Sequence, residues 1–292
     1  MLEQSAPTQQ FRSCELLKHQ ENQSDETKPQ KIRVNCLSSD YDGTISPIDA
    51  SRIESRVPLQ TRVMLRQISG LLPISIITMK DLPFIMPRTP FAQAWSAIGG
   101  LETRIGKRVL RRENVEDRLA DLSLAINFAR SHLTSDGAEI EDKQDSEGHT
   151  LAFCVDWRHA KDPENARHDA DRVATYCKTL NLRVIRYEKQ PFFDVYPFDP
   201  DKGLALREML NELVIKNGVL YLGDSQTDNS AFRASSVSVG VIHNESSSRA
   251  LDCDYLVKFE HVPDFLNALL MNDLLFSSEF PMIQVNPGRR RK

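Results

Sequence analysis

Asp40-Tyr41-Asp42-Gly43-Thr44 follows a modestly apolar stretch, residues 32–37, that reads as a strand. In an extended segment, residues i and i+2 point to the same side. Asp40 and Asp42 therefore present two carboxylates together at the carboxyl end of a strand, where ligands bind in open α/β sheets. One carboxylate suits attack on phosphorus and the other suits proton transfer to the leaving group. Gly43 allows a sharp turn, and the Thr44 hydroxyl is expected to orient Asp42. The blander reading is an acidic turn that closes a strand. D-x-D-G also opens a calcium loop, but Thr44 stands where that loop needs Asn or Asp.

A second acidic stretch, Gly223-Asp224-Ser225-Gln226-Thr227-Asp228, also follows an apolar strand candidate, residues 219–222. Asp224 at that strand's end can join Asp40 around one cation. Magnesium favours such a site, because it takes few protein carboxylates and keeps waters and substrate phosphate. Asp228 opens a helix, where a carboxylate also stabilises the dipole. Two further residues fit the same edge. Thr78 ends the apolar strand of residues 74–77, within the apolar stretch 71–79, and its hydroxyl can donate to a phosphate oxygen. Lys202 begins a helix, and its ammonium can neutralise nucleophile and phosphate together. Taken singly, a strand-end Thr is usually structural and a helix-start Lys usually solvated.

Between these stretches, strand and helix patterns alternate. Residues 58–69 read as a helix, with Pro58 in its first turn and Gly70 at its stop. Residues 97–100 read as a short strand end or turn. Residues 115–133 carry apolar side chains at three- and four-residue steps, as do residues 166–180, so two amphipathic helices are expected. Residues 151–157 alternate as a half-buried strand, and residues 182–187 and 192–196 read as strands. The core pattern then resumes with a helix at 202–213, strands at 219–222, 237–241 and 255–257, and a final helix at 262–276. A βα array that is interrupted and resumed predicts an α/β fold: a doubly wound, mostly parallel, Rossmann-like core with an inserted α+β cap. The expected divisions are a tail at 1–30, the core at 31–103 and 198–285, the cap at 104–197, and a basic tail at 286–292. Residues 1–30 are polar and aperiodic, which predicts disorder.

Composition bounds the rest. Apolar residues make up 40% and charged residues 27% of 292, as in ordinary globular proteins. A net charge of −4 gives no reason to expect nucleic acid as partner. No run of 18 apolar residues occurs, so no membrane span is expected. The N-terminus lacks a basic stretch followed by an apolar one, so no secretory signal is expected. The cysteines, Cys14, Cys36, Cys154, Cys177 and Cys253, are odd in number and widely spaced. That pattern predicts reduced thiols in a cytoplasmic protein, with no structural zinc. The sequence carries no signal for oligomeric state.

D-Y-D-G-T, a strand-end Thr, D-K-G before a helix and G-D-S-x-T-D stand in the order of the four motifs of haloacid-dehalogenase (HAD) phosphatases. Residues 40–48 and 221–232 are similar to the first and fourth motifs of trehalose-6-phosphate phosphatases, which carry a C2B-type cap. The resemblance covers roughly residues 32–275. It implies that Asp40 forms an aspartyl-phosphate. Asp42 would act as acid and then base, and its carbonyl would bind Mg²⁺. Thr78 and Lys202 would hold the phosphate, Asp224 would bind Mg²⁺, and Asp228 would support it.

The resemblance also assigns the cap to substrate choice. Glu141-Asp142-Lys143 resembles the family's E-D-K sugar-binding segment, with Glu141 and Lys143 on one strand face. Arg158, together with Asp156, and Asp194 complete the candidate sugar contacts. Without the resemblance, a solvated face with cross-strand ion pairs is the expectation. The sequence departs from the family pattern at three places: Gly99-Gly100 for His-Gly, Thr78-Met79-Lys80 for Ser-Gly-Arg, and Asp156-Trp157-Arg158 for His-Tyr-Arg. The expected reaction is hydrolysis of a phosphosugar, with trehalose 6-phosphate first. Sucrose phosphate or a glycosyl-phosphoglycerate remain open as substrates. So do a phosphomutase and a weakly catalytic phosphosugar-binding regulator.

Overall fold

The computed structural model describes residues 30–48, 50, 52–187, 190–244 and 251–288. The expected tails, residues 1–30 and 286–292, lie outside them apart from Gln30 and residues 286–288. The chain runs β1 (Lys31–Arg33), β2 (Cys36–Ser39), α1 (Leu59–Ser69), β3 (Ile74–Ile77), α2 (Leu82–Ile85), β4 (Ala94–Ala97), β5 (Glu102–Ile105) and β6 (Arg108–Arg111). It continues with α3 (Leu119–His132), β7 (Glu139–Gln144), β8 (Thr150–Asp156), α4 (Pro163–Thr179), β9 (Arg183–Arg186) and β10 (Phe192–Tyr196). It closes with α5 (Lys202–Glu212), β11 (Val219–Gly223), α6 (Asn229–Ala234), β12 (Val237–Ile242), β13 (Tyr255–Lys258), α7 (Val262–Met271), β14 (Leu275–Ser277) and β15 (Ile283–Val285).

Nine strands form one sheet in the order β15-β13-β12-β11-β2-β3-β4-β5-β6. The run from β13 to β4 is parallel, and antiparallel strands finish both edges. Strands β2, β3, β4, β11 and β12 are buried at every position. That is why they read as continuous apolar or small runs rather than as alternation. Leu65 and Ile68 of α1 and Phe265, Leu266 and Leu269 of α7 pack in one core layer. Ala205, Leu206 and Met209 of α5 and Phe232 of α6 pack in the other. The sheet is thus covered on both faces, the doubly wound arrangement. The chain leaves β2 towards β3 and returns on the other side as β11, so the strand order switches between β2 and β11.

The inserted segment builds its own four-stranded antiparallel sheet, β7-β8-β10-β9. Phe153, Val155, Phe193 and Val195 pack on α3 and α4 on one face. Ala152 and Tyr196 point the other way and join the core cluster. Both faces of β8 are therefore covered, and the strand is buried from Leu151 to Val155 instead of half-buried.

Several boundaries differ from expectation. The stretch read as one strand, residues 32–37, is two, β1 and β2, in different sheets. A break at residue 104 would fall inside β5, but the core sheet continues antiparallel through β6 to Arg111. The helix expected at 262–276 stops at Met271, because Asp273 and Leu274 take positive φ. The chain then turns back as β14, which pairs with β1. Pro58 caps α1 from outside its first turn. Cys36, Cys154 and Cys177 are buried thiols outside any disulfide, and Cys253 is buried too. Cys14 lies outside the described residues. Among the described residues, no helix is long and apolar enough to cross a membrane.

Candidate active site

Parallel pairing of β2 with β11 sets Ser39 opposite Leu222, and the Asp40 amide donates to the Leu222 carbonyl at 2.9 Å. The residues that follow each strand therefore leave the sheet side by side. Asp40 ends β2 and Asp224 ends β11. One carboxylate oxygen from each, with one from Asp228, all lie within 4.8 Å of one another. Glycine makes this convergence sterically possible. Gly43 has φ +73°, and a Cβ there would stand 2.1 Å from Asp224 Oδ2. A Cβ on Gly223 would stand 2.5 Å from the Asp228 carboxyl carbon.

Lys202 is the counter-charge. It begins α5, just after the inserted sheet, and is buried rather than solvated. Its Nζ lies 3.0 Å from Asp40 Oδ2 and donates to Asp228 Oδ1 at 2.8 Å. Burial opposes its charge, but Asp228 and Asp40 outweigh that and raise its pKa above the ordinary lysine value. One ammonium does not neutralise the group. Burial pushes the Asp40 carboxyl up to about 7, with Asp228 and Asp42 adding to the shift and Lys202 opposing it. Desolvation, then the charges of Asp40 and Asp228, raise Asp224 well above the usual carboxylate range.

The three carboxylates are not equivalent. Asp228 Oδ1 accepts from Lys202 and from the Tyr221 hydroxyl (2.7 Å). Its Oδ2 accepts from the amides of Asp224 and Ser225, both at 3.1 Å, and from Ser225 Oγ at 3.2 Å. Both oxygens are saturated, so Asp228 fixes the loop and orients Lys202. Asp40 and Asp224 keep oxygens that face each other. A surplus of negative charge and two open carboxylates fit a hard divalent cation, with Asp228 behind them as support.

The remaining candidates are placed as follows. Thr44 Oγ1 donates to Asp224 Oδ1 at 3.4 Å, so it orients Asp224 and not Asp42. The tight turn from Tyr41 to Ser46 swings it towards β11. Asp42 is partly exposed, and its nearest cation is Lys80 at 3.8 Å. Thr78 is buried at the end of β3, and its Oγ1 accepts from the Lys80 amide at 3.2 Å.

Glu141, Lys143 and Asp194 lie on the same face of the inserted sheet as Tyr196, the face turned to the core. Lys143 Nζ pairs with Asp194 Oδ1 at 2.7 Å and donates to the Tyr196 hydroxyl at 3.0 Å. The hydroxyls of Tyr187 and Tyr196 donate to Asp194 Oδ2 at 2.7 and 3.0 Å. Lys143 and Asp194 are thus buried and mutually satisfied. Glu141 meets Arg52, from the loop after Gly43, and Arg52 also donates to Asp81 at 2.9 Å. Arg158 does not join them. Its guanidinium pairs with Asp156 at 2.7 Å and lies over the Phe192 ring.

Sequence reasoning did not assign Arg52, Tyr221 or His243, whose Nε2 donates to the Gly43 carbonyl at 2.7 Å. Arg52 sits in a loop without period, and a Tyr inside a buried strand reads as packing. Only the position of Tyr221 two residues before Gly223-Asp224 carries any signal.

Comparison with solved structures settles the fold. The chain has the haloacid-dehalogenase fold with an inserted cap. A structure described as a trehalose-6-phosphate phosphatase related protein superposes with a TM-score of 0.66 at 16% identity, over 82% of this chain and 98% of its own. The C-terminal domain of trehalose-6-phosphate phosphatase from C. albicans gives 0.62 at 19% identity, over 82% and 94%. A sugar phosphatase of HAD subclass IIB gives 0.57 at 14% identity, over 82% and 100%. The family described as Sucrose-6F-phosphate phosphohydrolase matches residues 136–265, from the cap across the Lys202 and Asp224 segments into the last core helix. No curated protein matches the chain. The family match and these neighbours carry descriptions of one kind, sugar-phosphate phosphatases or proteins related to them.

Proposed function

We propose that the protein is a Mg²⁺-dependent phosphatase that releases phosphate from a phosphosugar through an aspartyl-phosphate on Asp40. The observation that carries this reading is the convergence of Asp40 and Asp224 with the buried Lys202 ammonium at the ends of two adjacent parallel strands. Phosphoryl transfer asks for positioning and charge neutralisation above all. Asp40, Asp224 and the Asp42 carbonyl would hold Mg²⁺, which when bound draws charge from the phosphate and offsets the carboxylates.

The chain's own residues carry the steps. An Asp40 carboxylate oxygen attacks phosphorus as the ester P–O bond breaks, and Asp42 delivers a proton to the leaving oxygen. Lys202 and the Thr78 hydroxyl steady the phosphate oxygens. Asp42 then takes a proton from water as its oxygen attacks phosphorus; the P–O bond to Asp40 breaks, which frees the Asp40 carboxylate and gives phosphate. The cap stands over this edge and limits bulk water during transfer. Its core-facing groups, Glu141, Lys143 and Asp194, with Arg158 at the edge, shape the sugar subsite.

Trehalose 6-phosphate is the first substrate to test, followed by sucrose 6F-phosphate and hexose phosphates. The test is phosphate release from this panel with Mg²⁺ and with excess chelator. The expected result is release that requires Mg²⁺ and disappears in Asp40→Asn. Full activity in chelator, or near-normal turnover by folded Asp40→Asn protein, overturns the reading. Transfer of phosphate to a second position of the sugar, without release, would favour a mutase.

A further inference from the structure

We propose that His243 is a positioning residue for the cation site: its ring fixes the turn that carries the Asp42 carbonyl, one of the proposed Mg²⁺ ligands. The inference rests on the phosphatase reading and adds to it a residue from a third strand end. His243 follows β12, the parallel neighbour of β11, so the ends of β2, β11 and β12 stand in a row at one edge of the sheet. Its Nε2 meets the Gly43 carbonyl at 2.7 Å. A carbonyl only accepts, so Nε2 carries the proton and donates. The ring stacks on Phe259, with centroids 5.1 Å and planes 26° apart, which holds its aim.

Gly43 is the soft point of that turn. It has φ +73°, a region that glycine enters and leaves freely. A side chain cannot stiffen the backbone there, because a Cβ would meet Asp224. Hydrogen bonds hold the residue from both sides instead. The Gly43 amide donates to the Ser46 carbonyl at 2.8 Å. That amide shares a rigid peptide plane with the Asp42 carbonyl. The Gly43 carbonyl, held by His243, shares the next plane with the Thr44 amide. Thr44 in turn donates through Oγ1 to Asp224 at 3.4 Å. The two planes about Gly43 thus set one proposed ligand, the Asp42 carbonyl, and the support of a second, Asp224. Ser46 belongs to the turn and moves with it. His243 belongs to the end of β12 and ties the turn to a separate strand. Its ring is exposed, so replacing it leaves the core packing intact.

Two variants separate the donor from the stacking. His243→Phe keeps a ring on Phe259 and removes the donor. His243→Gln gives up the ring and can place an amide N–H where Nε2 stands. Mg²⁺ affinity is read without substrate, from the rise of Tm with Mg²⁺ concentration. Separately, kcat and KM are measured in saturating Mg²⁺ with the best ester of the panel. His243→Phe is expected to weaken Mg²⁺ by at least about tenfold, the usual scale for a group behind a metal ligand. It should lower kcat and leave KM nearly unchanged, while its Tm in chelator stays at the wild-type value. His243→Gln should recover most of the Mg²⁺ affinity. Wild-type affinity in His243→Phe, or His243→Gln as weak as His243→Phe, overturns the proposal. Affinities in the expected order with no phosphate released from any ester by wild type overturn the phosphatase reading and leave the role of His243 standing. A wild-type Tm that does not respond to Mg²⁺ overturns both.

Discussion

Asp40→Asn should make the metal-free protein more stable while abolishing its chemistry. The substitution keeps the shape of the side chain and removes its charge. Asp40 ionises at about 7 in the fold against an ordinary 3.8. Because the folded value is the higher, the unfolded chain releases its proton first, and stability falls as pH rises from near 4 to near 7. Above that window the charged carboxylate costs on the order of 4 kcal/mol, and at pH 5 under about 2 kcal/mol. The Lys202 contact is already included in that balance, and Lys202 keeps Asp228 when Asp40 is neutral. Thermal unfolding in chelator should therefore show a higher Tm for Asp40→Asn at pH 8, by up to roughly 10 °C. The gain should shrink towards pH 5, and saturating Mg²⁺ should erase it by stabilising only the wild type. A Tm at pH 8 equal to or below wild type, or a gain that does not change with pH, would refute the reasoning.

Gly43→Ala should lower turnover at least about a hundredfold and weaken Mg²⁺ dependence curves, since its Cβ would enter the Asp224 carboxyl from a left-handed backbone position; phosphate release against Mg²⁺ concentration reads both effects. Tyr221→Phe removes a donor from a buried carboxylate and should cost about 1.5–3 kcal/mol in denaturant unfolding. Lys143→Met should cost about 3–5 kcal/mol, because Asp194 is left buried and unpaired. The double variant Lys143→Met/Asp194→Leu should recover most of that loss, and a loss no smaller than that of Lys143→Met would show that the pair itself stabilises the fold.

The doubly wound core was readable because three of its buried strands end in chemically distinct residues: Asp40, Thr78 and Asp224 marked the carboxyl ends of β2, β3 and β11, while the order of the strands in the sheet was not legible. β4 was half seen, as Ala97 alone, because Ala94-Trp95-Ser96-Ala97 has no β-branched residue. β14 and β15 were hidden for another reason. They are short edge strands, and the apolar residues of β14 continue the helical period of α7 until two positive-φ residues break it. At the site, residue types were legible while partners were not. Thr44 turned to Asp224 because the loop's curl decides its neighbour, and no local pattern encodes that curl. The division of labour between Asp224 and Asp228 depends on five donors from four residues, Lys202, Tyr221, Asp224 and Ser225, which only the fold brings together.

The two strands of chain that enter and leave the cap touch. Arg112 donates to the Asp199 carbonyl at 2.8 Å, and the Asp201 amide donates to the Gly99 carbonyl at 3.2 Å. A segment whose ends meet costs the host little closure entropy whatever its length. The same junction would accept a shorter loop, a larger cap or an unrelated one, with β6 and α5 undisturbed. Under the proposed function, chemistry and recognition are therefore separable in this chain: the strands that carry Asp40 and Asp224 can be kept while the insertion between β6 and α5 is exchanged.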